Sequence, residues 1–350
     1  MAGGSGTRFW PRSRKDSPKQ LIDLMGQGTL IRQTVDRIKE LDTSNKIYIV
    51  ASEFLCNKIK EEIPEIPESN FIKEPSGKNT APAIGLAALH IYKKDPKGVM
   101  AIYPSDHLIK GREQFIATMK AAEAVAEKEN ILMTIGIKPS YAATGYGYIQ
   151  YGSNQNSAIE NVYNVKTFAE KPNKDTAINF YESDEFLWNS GIFVWKAEQI
   201  LLEMKTHMCE LHDSLDVIFD NMGSSQYDIV LDREWEIITA ESIDYGILEK
   251  AKNVYTLKAD FEWSDLGTWD SLFKAYEKNE QGSVHDGEVV SIDSKNNLVI
   301  SPNRLTALIG VEDLAVINMM DVTLIMPQSE SEEVKKIVQM LKTMNREDYL

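Results

Sequence analysis

The first twenty residues of the chain, MAGGSGTRFWPRSRKDSPKQ, combine closely spaced glycines with a dense cluster of cationic side chains. Glycine lets the backbone N–H groups of a loop approach a ligand closely, and such loops bind phosphate oxygens. The glycines and cations are Gly3, Gly4, Gly6, Arg8, Arg12, Arg14, Lys15 and Lys19. A solvated basic terminus would carry the same charge, but the apolar Phe9-Trp10-Pro11 favours a folded phosphate-binding loop.

Two common phosphate-binding loops do not fit this segment. A Walker A loop requires GxxxxGK[ST], and the chain has no such pattern. A dinucleotide fingerprint requires GxGxxG, but Phe9 stands where the last glycine should be. The sequence therefore predicts a phosphate loop of a third kind.

The elements that must hold this loop alternate along the first 140 residues. Segments with helical periodicity alternate with short apolar segments, which predicts βαβ units and a mostly parallel, doubly wound sheet. Asn79 is the predicted cap of the third helix, with Pro82 in its first turn. From about residue 144 the pattern predicts antiparallel strands that cover one edge of the sheet. The predicted helices are 29–41, 52–63, 79–94, 112–129, 198–220 and 242–251, and the predicted early strands are 46–51, 70–75, 99–107 and 131–139.

The last part of the chain predicts a β-rich region. A loop leads into a helix over 259–278, residues 284–327 have the pattern of short strands broken by turns, and a polar helix follows over 329–344. We expect a catalytic domain at 1–258, a loop and connecting helix at 259–283, and a β-rich domain with a terminal helix at 284–350.

Composition restricts the class of protein. The 350 residues carry a formal net charge of −15, which argues against nucleic-acid binding over most of the surface but leaves room for a local basic pocket. Cys56 and Cys209 form no CxxC pair, which fits a reducing compartment. No apolar segment approaches the roughly 20 residues of a membrane span, and no signal peptide is evident. These features predict a cytoplasmic protein that binds neither membranes nor nucleic acid.

Several segments together resemble one enzyme family. GGSGTRFWPRSRKDSPKQ is similar to the signature of the sugar-1-phosphate nucleotidyltransferases, and is most similar to the short form of the mannose-1-phosphate guanylyltransferases (GDP-mannose pyrophosphorylases). Other family motifs follow in the expected order up to about residue 270. They are EPSGKNTAP (74–82), PSDH (104–107), TGYGYI (144–149), FAEKP (168–172), WNSGIF (188–193) and WSDLG (263–267).

The resemblance implies a fold and a role for each motif. The implied fold is α/β, a Rossmann-like, doubly wound mixed sheet of the nucleotide-diphospho-sugar transferase type, with a small β-rich C-terminal domain for which a left-handed β-helix is one form. The implied nucleotide-binding residues are Gly3, Gly4, Gly6, Thr7, Lys78, Asn79 and Thr80, with EPSGKNTAP facing the guanine base. The implied catalytic cations are Arg8, Lys19 and Lys171. The implied sugar-binding residues are Gly147, Glu170 and Asn189, and the implied Mg²⁺ ligands are Asp106 and Asp265.

The residues themselves leave these assignments open. Asp106 follows an apolar strand, where open α/β sheets bind ligands, and one or two carboxylates suffice for Mg²⁺. However, a single aspartate is more often a turn or cap residue, and Glu170 beside Lys171 would also fit an ordinary surface pair. The magnesium and sugar sites therefore rest on the resemblance.

The implied reaction is direct attack of mannose 1-phosphate on the α-phosphorus of GTP, which gives GDP-mannose and pyrophosphate without a covalent intermediate. Two alternatives stay open. One is the same chemistry on another sugar phosphate or nucleotide, and the other is a catalytically silent regulatory subunit that binds nucleotide sugars. The resemblance also implies a homodimer.

The chain departs from the family pattern at its start. Family members normally begin with a short apolar strand before the glycine loop, whereas here only Met1 and Ala2 precede it. We expect that translation of the native protein starts upstream, and the alternative is an impaired protein. The chain ends about where the short form ends, so we do not expect the cupin-like isomerase domain of the long form.

Overall fold

A computed structural model describes residues 1–4, 6–41, 46–154 and 159–350 of the chain. The chain divides into two compact units. Unit 1 consists of Met1–Gly3, Val35–Pro104 and Ile109–Trp263, and unit 2 consists of Gly4–Thr34, Ser105–Leu108 and Ser264–Leu350. Ser5 of the glycine loop lies outside the described residues. The domain bounds 1–258, 259–283 and 284–350 stay predictions.

The main sheet of unit 1 is mixed. The strands up to residue 264 are β1 (Ile49–Ser52), β2 (Phe71–Glu74), β3 (Val99–Ile102), β4 (Leu108–Lys110), β5 (Leu132–Ile137), β6 (Tyr148–Asn154), β7 (Val162–Ala169), β8 (Phe186–Lys196), β9 (Val254–Ala259) and β10 (Glu262–Ser264). The main sheet has the order β3-β8-β5-β9-β7-β6, and β8 also pairs with β6. Only the β5–β9 pair in this sheet is parallel among the pairings that the structure describes, and β1 and β2 form a separate parallel pair.

The position of β8 corrects one expectation. The sequence predicts antiparallel strands at one edge of a mostly parallel sheet, whereas β8 lies inside the sheet, antiparallel to both β3 and β5. Consecutive residues of β8, namely Phe193, Val194 and Trp195, are buried, so the strand is apolar on both faces. A strand of this kind is stable in the middle of a covered sheet. The predicted α/β class with a mixed sheet is confirmed.

Most helices begin where the sequence predicts them. The helices up to residue 237 are α1 (Leu30–Lys39), α2 (Glu53–Glu62), α3 (Thr80–Lys94), α4 (Arg112–Lys128), α5 (Lys174–Ser183), α6 (Ala197–His207), α7 (Cys209–Asn221) and α8 (Tyr227–Ile237). The Asn79 side chain accepts a hydrogen bond from the N–H of Thr80 at 2.9 Å, which confirms the predicted cap of α3. Helices α5 and α8 were not predicted, and the predicted helix at 198–220 is divided into α6 and α7. The predicted helix at 242–251 is a π-helical turn over Asp244–Leu248.

The start of the chain is hydrogen-bonded within unit 1. The terminal amino group of Met1 donates to the carbonyl of Tyr103 at 2.8 Å. The N–H of Ala2 donates to the carbonyl of Val50 at 2.9 Å. Met1 and Ala2 are therefore held between the segment that follows β3 and strand β1.

Unit 2 contains the β-rich region. Its elements after residue 264 are α9 (Trp269–Ala275), β11 (Val284–Ile292), β12 (Leu298–Ile309), β13 (Leu314–Asn318), β14 (Thr323–Pro327) and α10 (Val334–Thr343). Strands β11, β12 and β13 run parallel, and β14 pairs antiparallel with β13. Asn297 stabilises the turns, because its buried amide donates to the carbonyl of Val311 at 3.0 Å and accepts from the N–H of Leu314 at 2.9 Å.

The apolar residues of the glycine loop belong to the core of unit 2. Phe9 is fully buried, and its ring lies 4.9 Å from that of Trp269. The indole N–H of Trp269 donates to the carbonyl of Trp10 at 3.1 Å. The expectation that Phe9-Trp10-Pro11 anchors a folded loop is therefore confirmed. Among the described residues, no helix is both long enough and apolar enough to span a membrane.

Candidate active site

The glycine loop has a backbone that only glycine adopts easily. Gly4 and Gly6 have φ angles of 95° and 58°. A Cβ atom added to Gly6 would lie 2.5 Å from the Cβ of Lys19, so a side chain at Gly6 would displace the lysine. Thr7 begins a short 3-10 turn over Thr7–Phe9. Gly4, Gly6 and Thr7 thus belong to unit 2 with Lys19, whereas Gly3 belongs to unit 1.

Lys19 joins the two predicted magnesium ligands. Its ammonium group donates to the Asp106 carboxylate at 2.8 Å and to the main-chain carbonyl of Asp265 at 2.5 Å. Lys19 is only 5% exposed, and its Nζ lies 5.7 Å from the centre of the Phe9 ring. Burial by itself would raise the pKa of Asp106, but the charges of Lys19 and His107 outweigh it and hold that pKa below its usual value. Unit 2 therefore brings a lysine and an ionised carboxylate from distant segments to one point.

The loop around Asp265 holds its carboxylate in place. The N–H of Gly267 donates to the Asp265 side chain at 2.8 Å. Leu266 between them is buried and has a φ of 43°, which is an uncommon backbone for a bulky residue. Asp106 and Asp265 supply the hard oxygen atoms that Mg²⁺ prefers, and both are linked to the same ammonium group. The chemistry of the donor set thus fits Mg²⁺, although the described residues contain no group of three or more potential metal-ligating side chains.

The other cations of the loop form ion pairs within unit 2. Arg8, which was predicted to bind phosphate, is 42% exposed and lies 3.5 Å from Glu332. The remaining pairs are Arg12 with Asp286, Arg14 with Asp321 and Lys15 with Glu347. Much of the positive charge that looked available for a ligand therefore connects the loop to the β-rich region.

The predicted guanine segment in unit 1 is fixed by main-chain hydrogen bonds. The N–H of Glu241 donates to the carbonyl of Lys78, and the N–H of Ala81 donates to the carbonyl of Glu241. The Thr80 hydroxyl accepts from the N–H of Ile243 at 2.8 Å. These two main-chain groups of 78–81 are therefore already paired within unit 1.

Asn79 and Glu74 remain as polar groups beside this segment. Asn79 has φ 71° and ψ −167°, a region that is essentially restricted to glycine and costs about 1–3 kcal/mol. Glu74, at the end of β2, is 6% exposed, and burial raises its pKa. Within the described ranges, the Glu74 carboxylate has no hydrogen-bond donor, and a Cβ added to Gly3 would lie 3.4 Å from it.

The predicted sugar residues lie together in unit 1. A Cβ added to Gly147 would be 2.5 Å from Oε2 of Glu170 and 3.4 Å from Cβ of Asn189, so both residues flank the glycine. Lys171 is 56% exposed and forms an ion pair with Glu170. Its φ of 46° is also unusual, because Leu266 is the other positive-φ residue in the described part of the chain that is neither glycine, asparagine nor aspartate. Glycine at 147 therefore leaves space between a carboxylate and an amide.

Sequence reasoning missed two residues that contact Asn189. The Asn189 amide donates to Asp244 at 2.9 Å and accepts from the Thr134 hydroxyl at 3.0 Å. Burial, together with the charge of Glu170, raises the pKa of Asp244 to about 6. Each contact joins residues that are 55 positions apart in the sequence. The sequence placed Asp244 only in a predicted helix, which gives no indication of a functional role.

Aromatic rings lie beside the FAEKP and WNSG segments. Tyr146 packs at 5.0 Å from Trp188 and at 5.1 Å from Trp263, in edge-to-face geometry. Trp188 is also 5.0 Å from Tyr141. Trp188 and Trp263 thus pack against tyrosine rings within unit 1.

Comparison with known proteins identifies the family. A family model described as "Nucleotidyl transferase" matches residues 1–282, and one described as "MannoseP isomerase/GMP-like beta-helix domain" matches residues 287–341. The chain is 36% identical to mannose-1-phosphate guanylyltransferase 2 of Escherichia coli O157:H7, over 100% of this chain and 74% of that protein. The chain belongs to the mannose-1-phosphate guanylyltransferase family. A member from Klebsiella pneumoniae is 35% identical, again over 100% of this chain and 74% of the relative.

A solved structure supports the same family. The Thermus thermophilus protein described as a mannose-1-phosphate geranyltransferase superposes with a TM-score of 0.88 at 26% identity, over 98% of both chains. The β-helix family match and this superposition confirm the predicted β-rich C-terminal domain. The chain is therefore a nucleotidyltransferase with the fold that its motifs implied.

Proposed function

We propose that the protein transfers GMP from GTP to α-D-mannose 1-phosphate and releases GDP-mannose and pyrophosphate. Its relatives carry the name of this reaction. The observation that carries the proposal is the buried Lys19 ammonium, which contacts both the Asp106 carboxylate and the main chain of Asp265. A triphosphate with a bound metal ion requires carboxylates for the metal and a cation for the phosphate oxygens, and this lysine between two aspartate segments provides both.

The glycine loop and the cations bind the phosphate groups in this proposal. The main chain at Gly3, Gly4, Gly6 and Thr7 follows the phosphates, and Lys19 and Arg8 neutralise their charge. Arg8 is available because its ion pair with Glu332 is largely exposed and therefore weak. Asp106 and Asp265 would hold Mg²⁺, which would supply further charge neutralisation on the phosphate oxygens.

The sugar phosphate binds to unit 1 residues in this proposal. The Glu170 carboxylate accepts hydrogen bonds from the hexose hydroxyls, and the Asn189 amide also forms hydrogen bonds with them. Gly147 leaves room for the sugar ring. Lys171 is exposed enough to leave Glu170 and approach the phosphate. Among the ion pairs of the described residues, Lys171 is the only cation that contacts Glu170, and it is therefore the residue assigned to the sugar phosphate.

The reaction needs charge neutralisation more than proton transfer. A phosphate oxygen of the sugar 1-phosphate attacks the α-phosphorus of GTP, and a new P–O bond forms. The bond from the α-phosphorus to the oxygen that bridges to the β-phosphate breaks, and its electron pair leaves with pyrophosphate. The sugar phosphate is already ionised near neutral pH, so no residue has to remove a proton.

Guanine preference would come from Glu74 and Asn79. Guanine presents N1–H and N2–H donors beside an O6 acceptor, whereas adenine has no hydrogen on N1 and no amino group at C2. A buried carboxylate without a donor among the described residues matches the two N–H groups of guanine. The strained backbone of Asn79 is consistent with a residue that is held in place for ligand contact.

The proposal is tested by pyrophosphate release with a panel of nucleoside triphosphates and sugar 1-phosphates, with and without Mg²⁺. We expect turnover with GTP and mannose 1-phosphate that requires the metal. Faster turnover with another pair would assign a different substrate. Tight GDP-mannose binding without turnover of any pair would favour the silent regulatory subunit. The homodimer and the cytoplasmic location stay predictions, and light scattering after size exclusion tests the first.

A further inference from the structure

The Asn189 side chain is held on both sides by hydrogen bonds within unit 1. Its Oδ1 accepts from the Thr134 hydroxyl at 3.0 Å and from the N–H of Gly191 at 3.1 Å. Its Nδ2 donates to Oδ1 of Asp244 at 2.9 Å. The main-chain N–H of Asn189 also donates to the carbonyl of Gly147 at 2.8 Å. These bonds fix both the strand and the amide beside Gly147.

The partners also determine which way the amide points. The N–H of Gly191 can only donate, and an ionised Asp244 carboxylate can only accept. The oxygen of Asn189 must therefore face Gly191, and its nitrogen must face Asp244. An exchange of the two amide atoms would place two donors together on one side and two acceptors together on the other.

We propose that Asp244 is a positioning residue for the sugar site, because it fixes the Asn189 amide with its oxygen and its remaining N–H in set directions. This inference rests on the proposed function, in which Asn189 contacts the hexose. Asp244 acts through Asn189 and needs no contact with the sugar. Its ionised form is the effective one, since a hydrogen bond from the amide N–H to an ionised carboxylate is stronger than one to a neutral carboxyl group and holds the amide more firmly.

The surroundings of Asp244 fit a functional role better than a stabilising one. The charges that face it are the Glu170 carboxylate and the Lys171 ammonium. Burial and the repulsion by Glu170 disfavour its ionised form and raise its pKa to about 6. Because this pKa is raised above the usual 3.8, the ionised carboxylate reduces the stability of the fold at neutral pH. Asp244 also opens a π-helical turn, and such turns are frequent at functional sites.

The test compares the affinities of Asp244→Asn and wild type for GDP-mannose and GDP by calorimetry. The affinity ratio isolates the sugar contribution, and GDP-mannose has no phosphate that titrates near pH 6 because both its phosphates are esterified. At pH 7.5 we expect Asp244→Asn to lose about tenfold in GDP-mannose affinity, with GDP affinity within about twofold of wild type. The terminal phosphate of GDP titrates near pH 6, so the pH comparison uses GDP-mannose alone: the wild-type affinity for GDP-mannose should fall between pH 7.5 and 5.5, whereas that of Asp244→Asn should stay flat. Its melting temperature should not decrease, since a disfavoured buried charge is removed.

Two further variants make the outcome decisive. Glu249→Gln is the matched control, because Glu249 also has a pKa raised by burial and by Glu170, but its side chain has no hydrogen bond to Asn189 within the described residues. Thr134→Val removes the hydroxyl on the other side of the amide and should also lower the ratio. An unchanged ratio in Asp244→Asn, or an equal loss in Glu249→Gln, overturns the inference. A wild type that does not prefer GDP-mannose to GDP overturns the proposed sugar site itself, and this inference with it.

Discussion

Replacement of Gly147 by alanine tests the proposed sugar site with little damage to the fold. The new Cβ would lie 2.5 Å from Oε2 of Glu170, which is closer than atoms in proteins approach, so the carboxylate must move away. Oε2 is the far end of a flexible side chain, so the movement costs little stability. A hydrogen bond to a charged group contributes about 1.5–3 kcal/mol. Since about 1.4 kcal/mol is a factor of ten, the KM for mannose 1-phosphate should rise about 10- to 150-fold.

Strand β6, which begins at the residue after Gly147, provides a matched control. A Cβ added to Gly152 would lie 2.3 Å from Oδ1 of Asn164, which is again the end of a flexible polar side chain. Asn164 has no part in the proposed site, so Gly152→Ala should disturb strand β6 comparably and leave both KM values unchanged. Initial rates of pyrophosphate release with each substrate varied, together with melting temperatures, provide the measurement. The reasoning is refuted if Gly147→Ala keeps the wild-type KM for mannose 1-phosphate, raises the KM for GTP equally, or behaves like Gly152→Ala.

Two further predictions concern Asn79 and Lys19. Asn79→Gly should raise the melting temperature, because glycine relieves about 1–3 kcal/mol of backbone strain and is nearly as good a helix cap as asparagine. GTP affinity should fall, because the side-chain amide is lost. A lower melting temperature would disprove the strain argument. Lys19→Met should lower the free energy of unfolding by about 1–3 kcal/mol at pH 7, because the Asp106 carboxylate loses its charged partner. The pKa of Asp106 in the fold lies below 3.8, so this stabilisation exists above that value and disappears as pH falls through the folded pKa. Urea unfolding of Lys19→Met and wild type at pH 7 and near pH 2 should therefore show a difference that shrinks with acidity, and a constant difference would contradict the ion-pair explanation.

Local features of the chain were predictable because their causes are local. The cap at Asn79 and the bounds of α3 follow from a polar side chain before an apolar helical segment. The burial of Phe9 and Trp10 follows from two large apolar side chains within a polar loop. The assignment of the motif segments to binding came from the resemblance to a family rather than from local causes, and it stays a prediction.

Features that depend on distant segments could not be predicted. Strand β8 lies between β3 and β5, and no pattern within its own residues specifies its neighbours. Arg14 looks like a free phosphate ligand in the sequence, yet it pairs with Asp321, which is 307 residues away. Asp244 looks like an ordinary helical residue until the fold places it against Asn189. The charge and spacing of a segment thus predict what it can bind, but only the tertiary structure determines which of its groups remain available.

Backbone strain distinguishes the candidate site from the rest of the chain more sharply than composition does. Positive φ angles at asparagine or aspartate are tolerated in turns, and most non-glycine cases in the described residues are of that kind. Lys171 and Leu266 are not of that kind, and each lies inside a motif segment, beside Glu170 and Asp265 respectively. Unfavourable backbone at these two positions persists only where surrounding contacts hold it. The fold is thus less stable than it could be at the segments that orient the Glu170 and Asp265 carboxylates. This is expected where the function needs charges in fixed positions.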